Sequence, residues 1–338
     1  MEFMKIGGTH LTVSRIALGT WSIGGWMWGG TDEKESIQTI HTAVERGITL
    51  IDTAPVYGLG RSEEIVGKAL AGGLRKQVVL ATKVGLDWRN EQPFRNATRR
   101  RILAEVEASL KRLRTDVIDI YHVHWPDPET PIEETAEAMA QLHRQGKIHA
   151  IGVSNFSTAQ MDAFSAVVPI HTLQPPYNLF EREIEPEILP YALWNGMGVL
   201  AYGPICRGLL SGRMKLETQF GGDDLRKTDP KFQLPRYPQY LNAVERLDRF
   251  AQENYGKRVI HLAMRWVLDQ AGVTAALWGA RHPAQLDPID GILGWSLDGS
   301  AMEEIDSIVR ESIADPVGPE FMAPPSRLEF GAAPSAAA

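Results

Sequence analysis

The sequence predicts an α/β fold, a single (β/α)8 TIM barrel, and three observations predict it. Short apolar runs alternate along the chain with amphipathic segments of helical length. The alternation recurs often enough to supply eight parallel strands, each followed by a helix, rather than an antiparallel sandwich. Polar residues capable of chemistry stand at the ends of the apolar runs, where a parallel barrel keeps its site. The chain of 338 residues fits one large barrel or two ordinary domains. The competing fold is a doubly wound open sheet, which usually carries a glycine fingerprint after its first strand. Here "LGTWSIGGWMWGG" has the wrong order for G-x-G-x-x-G.

The expected strands are Ile16–Leu18, Thr49–Ile51, Val78–Thr82, Ile118–Val123, Ala150–Val153, Thr172–Gln174, Gly198–Ala201 and Ala275–Leu277. Between them, the periodicity predicts helices over Glu33–Arg46, Ser62–Leu70, Arg99–Leu113, Ile132–Gln145, Thr158–Ala166, Ile184–Trp194 and Val259–Gln270. An eighth helix would start with Asp287 as N-cap and Pro288 at the first helical position, and run to about Leu293. Residues 213–240 break the repeat with three prolines, two adjacent glycines and four aromatics. A long loop of this kind after strand seven is a candidate cofactor or substrate lid, with plain disorder as the alternative. The barrel domain is taken as residues 1–330, with a C-terminal extension after the last helix and an Ala-rich, flexible tail over 331–338.

Composition excludes several function classes. Hydrophobic residues make up 43% of the chain and charged residues 23%, enough for a large packed core. Thirty-five basic against 42 acidic residues give a net charge of −7, which argues against a nucleic-acid surface. No apolar run is long enough to cross a membrane, and Met1 to Leu18 lacks the apolar core of a signal peptide. The single cysteine, Cys206, rules out an intrachain disulfide and a cysteine-rich metal site. These features point to a cytoplasmic protein with no membrane partner. Nothing in the sequence sets an oligomeric state.

Strand two ends in Asp52, with Tyr57 five residues on; strand three ends in Lys83 and strand four in His124. Each has a plain alternative. An isolated Asp after a strand caps a turn, and a lone strand-end His is commonly a hydrogen-bonded structural residue. Lys83 after an apolar run is harder to dismiss, because lysine is seldom buried unless paired. Together the four form one chemically coherent set. A phenol titrates near 10; a neighbouring ammonium lowers that value, and Asp52 would hold Lys83 charged. His124 can hydrogen-bond a carbonyl oxygen alongside Tyr57, leaving the carbonyl ready to accept a hydride. His122, two residues from His124 on the same strand face, reads as a deeper core histidine. A metal site is not expected: there is no H-E-x-x-H, and the Lys83 ammonium would repel a cation near the H-x-H pair.

"IDTAPVYGLGRSEEIVGKAL", "ATKVG", "DIYHVHWPDPETPIEET", "GKIHAIGVSNFS", "QPPYNLFERE" and "GPICRGLLSG" closely resemble the aldo-keto reductases over roughly Gly7 to Pro325. "GTWSIGGWMWGGTDE", "ALWGARHPAQL" and "DPVGPEFMAPP" are similar to the bacterial general-stress and sugar-aldehyde branch. The resemblance implies a catalytic tetrad at Asp52, Tyr57, Lys83 and His124, with Tyr57 as proton donor in reduction. It implies a nicotinamide cofactor held across the barrel mouth by Gly19, Thr20, Trp21, Ser154, Asn155 and Gln174. Tyr202 would stack on the ring, with Gly203, Pro204, Cys206, Arg207 and Gly208 near the pyrophosphate. Asp224, Leu225 and Arg226 would lie in a loop closing over it.

At the adenosine end, the resemblance implies Gly279, Arg281 for a 2′-phosphate, and Gln285. Pro288 and Ile289 stand where the family places a Glu-Asn pair, so the implied cofactor is NADP(H) with possible use of NAD(H). Trp21, Trp28, Trp88 and Trp125 are candidate walls of a substrate pocket for small aldehydes, ketones or sugar aldehydes. Cys206 is either oxidation-sensitive or a quiet buried thiol. The function implied is carbonyl reduction. The alternatives are oxidation of a sugar or polyol at the same site and, from another class, a cofactor-sensing channel subunit.

Overall fold

A computed structural model describes residues 1–332. Eight parallel strands close into a barrel: β1 Ile16–Gly19, β2 Leu50–Asp52, β3 Val79–Val84, β4 Ile118–Val123, β5 Ile148–Ser154, β6 Thr172–Gln174, β7 Gly198–Ala201 and β8 Val273–Gly279. Strand β8 returns beside β1, with Gly279 opposite Gly19. The register sets Gly19 opposite Asp52, Lys83 opposite His122 and Gln174 opposite Ser154. It thereby gathers the polar strand ends at one mouth.

Helices wrap the barrel: α1 Glu33–Glu45, α2 Arg61–Ala69, α3 Arg99–Leu113, α4 Ile132–Arg144, α5 Thr158–Ser165, α6 Ile188–Trp194, α7 Tyr237–Tyr255, α8 Val259–Asp269, α9 Gly299–Ser312 and α10 Arg327–Ala332. Side-chain caps fix several starts. Asp32 accepts from the Glu35 amide, Thr98 from that of Arg101, and Ser157 forms a capping box with Gln160. Apolar helix faces pack on the outward side chains of the strands in one continuous core. The barrel interior is filled separately by Ala17, Leu50, Ala81, Ile120, Ala150, Leu200 and Ala275. Ile6, Leu11 and Val13, from an N-terminal hairpin pairing Phe3–Lys5 with Thr12–Ser14, pack into that second cluster.

The structure corrects several expected boundaries. Residues 283–291 form 3₁₀ turns capped by His282, not a helix capped by Asp287 and reaching Leu293. The helix that closes the last unit is α9, capped by Asp298. The loop expected to run through Tyr240 ends earlier, because α7 starts at Tyr237 with Pro238 in its first turn. Helix α6 starts at Ile188 rather than Ile184. A hairpin pairing Leu86–Arg89 with Gln92–Arg95 follows β3. Of the tail taken as flexible, Gly331 belongs to α10, whereas residues 333–338 lie outside the described residues. Among the described residues, no helix is long and apolar enough to cross a membrane.

Candidate active site

Asp52 and Lys83 meet at the barrel mouth because their strands are neighbours and both side chains point inward. Lys83 Nζ donates to Asp52 Oδ2 at 2.7 Å and to the Thr53 carbonyl at 2.9 Å. Lys83 is fully buried and Asp52 almost so. Burial pulls the Lys83 ammonium below its ordinary value, while Asp52 pulls the other way. The Asp52 carboxylate is doubly engaged, since its Oδ1 accepts from Gln174 Nε2 at 2.9 Å.

Tyr57 is half-buried on the loop after β2. That loop is clamped by backbone contact: a Cβ on Gly58, which has φ of +65°, would strike the Gly24 carbonyl, and a Cβ on Gly24 would strike Tyr57. The clamp presents the Tyr57 ring with Lys83 Nζ 4.8 Å from its centroid and His124 edge-on at 5.8 Å. Trp21 stacks on its other side at 5.9 Å. All four tetrad residues thus converge.

One electrostatic expectation is corrected. Tyr57 is pushed well above the ordinary phenol value, first by burial and then by the Asp52 charge, instead of being lowered by Lys83. The Lys83 ammonium gives its hydrogen bonds to Asp52 and Thr53, not to the phenol. Tyr57 is therefore a neutral hydroxyl that keeps its proton to high pH. His124 is held well below 6.5 by burial and by Lys83, so it is a neutral imidazole. His122 is fully buried against Thr172 Oγ1 at 3.0 Å and lowered to about 3, mainly by burial. Gly152 makes room for it, because a Cβ there would collide with the His122 ring.

A cavity of about 460 Å³ opens beside Tyr57 and His124. All the residues expected to hold a nucleotide line it except Cys206. Cys206 is buried away from the cavity wall, and burial pushes its thiol up to about 12. The donor set fits a nicotinamide nucleotide. Ser154, Asn155 and Gln174 line the inner end, Tyr202 offers a ring face, and the cavity-lining Gly203 and Gly279 leave open space where a Cβ would stand.

Several of these groups are also bound within the protein. Tyr202 Oη donates to Asn155 Oδ1 at 2.9 Å, and Asn155 Nδ2 donates to the His124 carbonyl at 3.0 Å. Arg207, expected near the pyrophosphate, is nearly buried in ion pairs with Glu181 and Asp229. Arg281 is anchored through Nη1 to the carbonyls of Trp28 and Gly30, while the residue still lines the cavity. Gln285 Oε1 accepts from the Arg281 amide.

The loop after β7 reaches across the mouth. Asp223 accepts from the amides of Met27 at 2.7 Å and Gly29 at 3.0 Å, and the Leu225 amide donates to the Met27 carbonyl. Arg226 pairs with Asp224 and lies over the rings of Trp28 and Phe220.

Trp21, Trp28 and Trp125 line the cavity. Trp88 does not: it sits on the hairpin after β3, against the Arg101 guanidinium at 5.2 Å. Trp26, two residues before Trp28 in the same first loop, takes a wall position that the sequence reading missed. Val56, Leu86, Pro93, Phe321, Met322 and Pro324 also line the cavity. The last three come from the C-terminal extension, which is tied down by Arg95 Nε donating to the Pro324 carbonyl at 2.7 Å and by Phe94 stacking on Phe330. Among the described residues, no three His, Cys, Asp or Glu side chains converge as a metal site would.

Comparison with known proteins agrees with this geometry. The family model described as "Aldo/keto reductase family" matches residues 15–310. The chain is 62% identical over 331 residues to aldo-keto reductase YhdN of Bacillus subtilis, covering 98% of this chain and 100% of that one. It is 36% identical over 301 residues to an NADH-specific methylglyoxal reductase of Escherichia coli, covering 85% and 91% of the two chains. Among solved structures, the glycerol dehydrogenase AKR11B4 from Gluconobacter oxydans matches with a TM-score of 0.86 and 51% identity, over 95% of this chain and 99% of that one.

Proposed function

The chain belongs to the aldo/keto reductase family of oxidoreductases, and on that premise we propose that it reduces small aldehydes and ketones to alcohols with NADP(H). The observation that carries the reading is the Tyr57 hydroxyl at the cavity wall, with Lys83 beneath its ring and neutral His124 beside it. Tyr57 and His124 would both hydrogen-bond the substrate oxygen, polarising the carbonyl. Tyr57 then delivers its proton as negative charge builds on that oxygen. The Asp52–Lys83 pair keeps an ammonium under the ring to stabilise the phenolate left behind. A bound nicotinamide supplies the hydride in reduction and accepts it in alcohol oxidation.

Around Tyr57 the cavity carries Trp21, Trp26, Trp125, Val56 and Leu86, while its arginines, Arg207, Arg226 and Arg281, are engaged by Glu181, Asp224 and the Trp28 and Gly30 carbonyls. That supports a small neutral carbonyl compound over a phosphorylated one. Relatives named as a methylglyoxal reductase and a glycerol dehydrogenase both point to three-carbon compounds. The second name also favours polyol oxidation as the alternative direction at the same site. Arg281 supports a 2′-phosphate, hence NADP(H), while the NADH-specific relative keeps NAD(H) in play. The test is nucleotide consumption, followed by absorbance, with short aldehydes and with glycerol. Replacing Tyr57 by Phe should lower turnover by about a hundredfold or more while nucleotide binding persists. A Tyr57→Phe variant as active as wild type sinks the assignment.

A further inference from the structure

Gln174 belongs to the residues that would meet the nicotinamide carboxamide, yet one N–H of its side-chain amide is already committed. Nε2 donates to Asp52 Oδ1 at 2.9 Å, while Lys83 takes Oδ2 of the same carboxylate at 2.7 Å. A carboxylate paired with an ammonium accepts hydrogen bonds and offers none. The Gln174 amide therefore has a single permitted sense, NH2 toward Asp52 and carbonyl oxygen away from it. The side chain lines the cavity, and the hydrogen bond from Ser154 Oγ to the Gln174 carbonyl at 2.6 Å holds its backbone in place. Both Gln174 and Asp52 are almost fully buried, so turning the amide over would set two acceptors face to face without water.

We infer that Asp52, besides pairing with Lys83, is a positioning residue for nucleotide recognition: through Gln174 it dictates a hydrogen-bond acceptor in the ring subsite. The site then selects a ring substituent that offers an N–H, and the ion pair beneath Tyr57 and the grip on the cofactor form one unit. The inference rests on the nucleotide-binding reading above and goes beyond it by assigning a second task to Asp52.

Hydrogen-bond inventory makes the consequence of one substitution definite. In Asp52→Asn, the Lys83 ammonium still requires an acceptor, so the new amide turns its oxygen to Lys83 and its NH2 to Gln174. Gln174 must then reverse, offering its carbonyl to Asn and its NH2 to the cavity. The subsite changes from acceptor to donor without any change in the residue that lines it.

The experiment is equilibrium binding of two oxidised nucleotides, NADP⁺ and its 3-acetylpyridine analogue, followed by quenching of tryptophan fluorescence. The analogue keeps the ring carbonyl and lacks the N–H. Wild type should prefer NADP⁺, and Asp52→Asn should cut that preference by about tenfold or invert it, the change that one mismatched buried hydrogen bond produces. Gln174→Met should abolish the preference, and adding Asp52→Asn to it should change the ratio no further. Asp52→Ala, which frees the amide to turn either way, should give an intermediate ratio and serves if the Asn variant does not fold. A folded Asp52→Asn protein with the wild-type ratio overturns the inference alone. A wild type that binds neither nucleotide overturns the functional reading with it.

Discussion

The ammonium of Lys83 lies 4.8 Å from the centre of the Tyr57 ring but spends its hydrogen bonds on Asp52 and Thr53. The Tyr57 ring thus has a charge over it, and Tyr57 lines the cavity. Such an arrangement places the stability of the mouth and the chemistry of Tyr57 on the same buried pair.

Replacing Lys83 by Met should destabilise the fold by about 3–5 kcal/mol, because a nearly buried Asp52 loses its countercharge. Urea unfolding followed by far-UV circular dichroism reads this out. The double variant Asp52→Asn/Lys83→Met should recover part of the loss, since no orphan charge remains. If the double variant is the less stable of the two, the electrostatic account fails.

Acid should weaken the fold through His122. Its imidazole takes up a proton in the unfolded chain near pH 6.5 but resists one in the folded state down to about 3. The unfolded state therefore binds more protons between those values, and stability falls as pH falls through that window. From pH 6.5 to 5 the cost is about 2 kcal/mol for this one group. Urea midpoints at the two pH values for wild type and His122→Gln check it. The variant should lose less than wild type on acidification.

The Asp223 clasp should slow nucleotide release. Asp223→Ala frees the Met27 and Gly29 amides, and dissociation followed by stopped-flow fluorescence should quicken about fivefold, the worth of roughly one exposed hydrogen bond. An unchanged rate would mean that this loop does not lie on the release path.

Cys206 should behave as a silent thiol. Buried and pushed up to about 12, it should resist Ellman's reagent in the native protein and react at once in denaturant. Rapid labelling of the folded protein would contradict the burial seen here.

The barrel and the meeting of Asp52, Tyr57, Lys83 and His124 were legible because both depend on local pattern. Each strand is a short apolar run, and the inward alternation puts Asp52 and Lys83 one strand apart at the same end. What escaped depends on distant partners. Helix α7 opens within "RYPQY", whose proline reads as loop, and α9 lies well past its strand behind the 3₁₀ turns at 283–291. The Tyr57 shift was misjudged because the depth of burial is a tertiary quantity. Arg207 reads only as a residue near the pyrophosphate, and its pairing with Glu181 and Asp229 appears once the chain is folded. Trp88 and Trp26 exchanged places because a hairpin turned one outward and a loop brought the other in.

Ile6, Leu11 and Val13 of the N-terminal hairpin stopper the end of the barrel opposite the tetrad. The barrel is consequently a cul-de-sac. A ligand bound beside Tyr57 would therefore enter and leave through the mouth of the barrel.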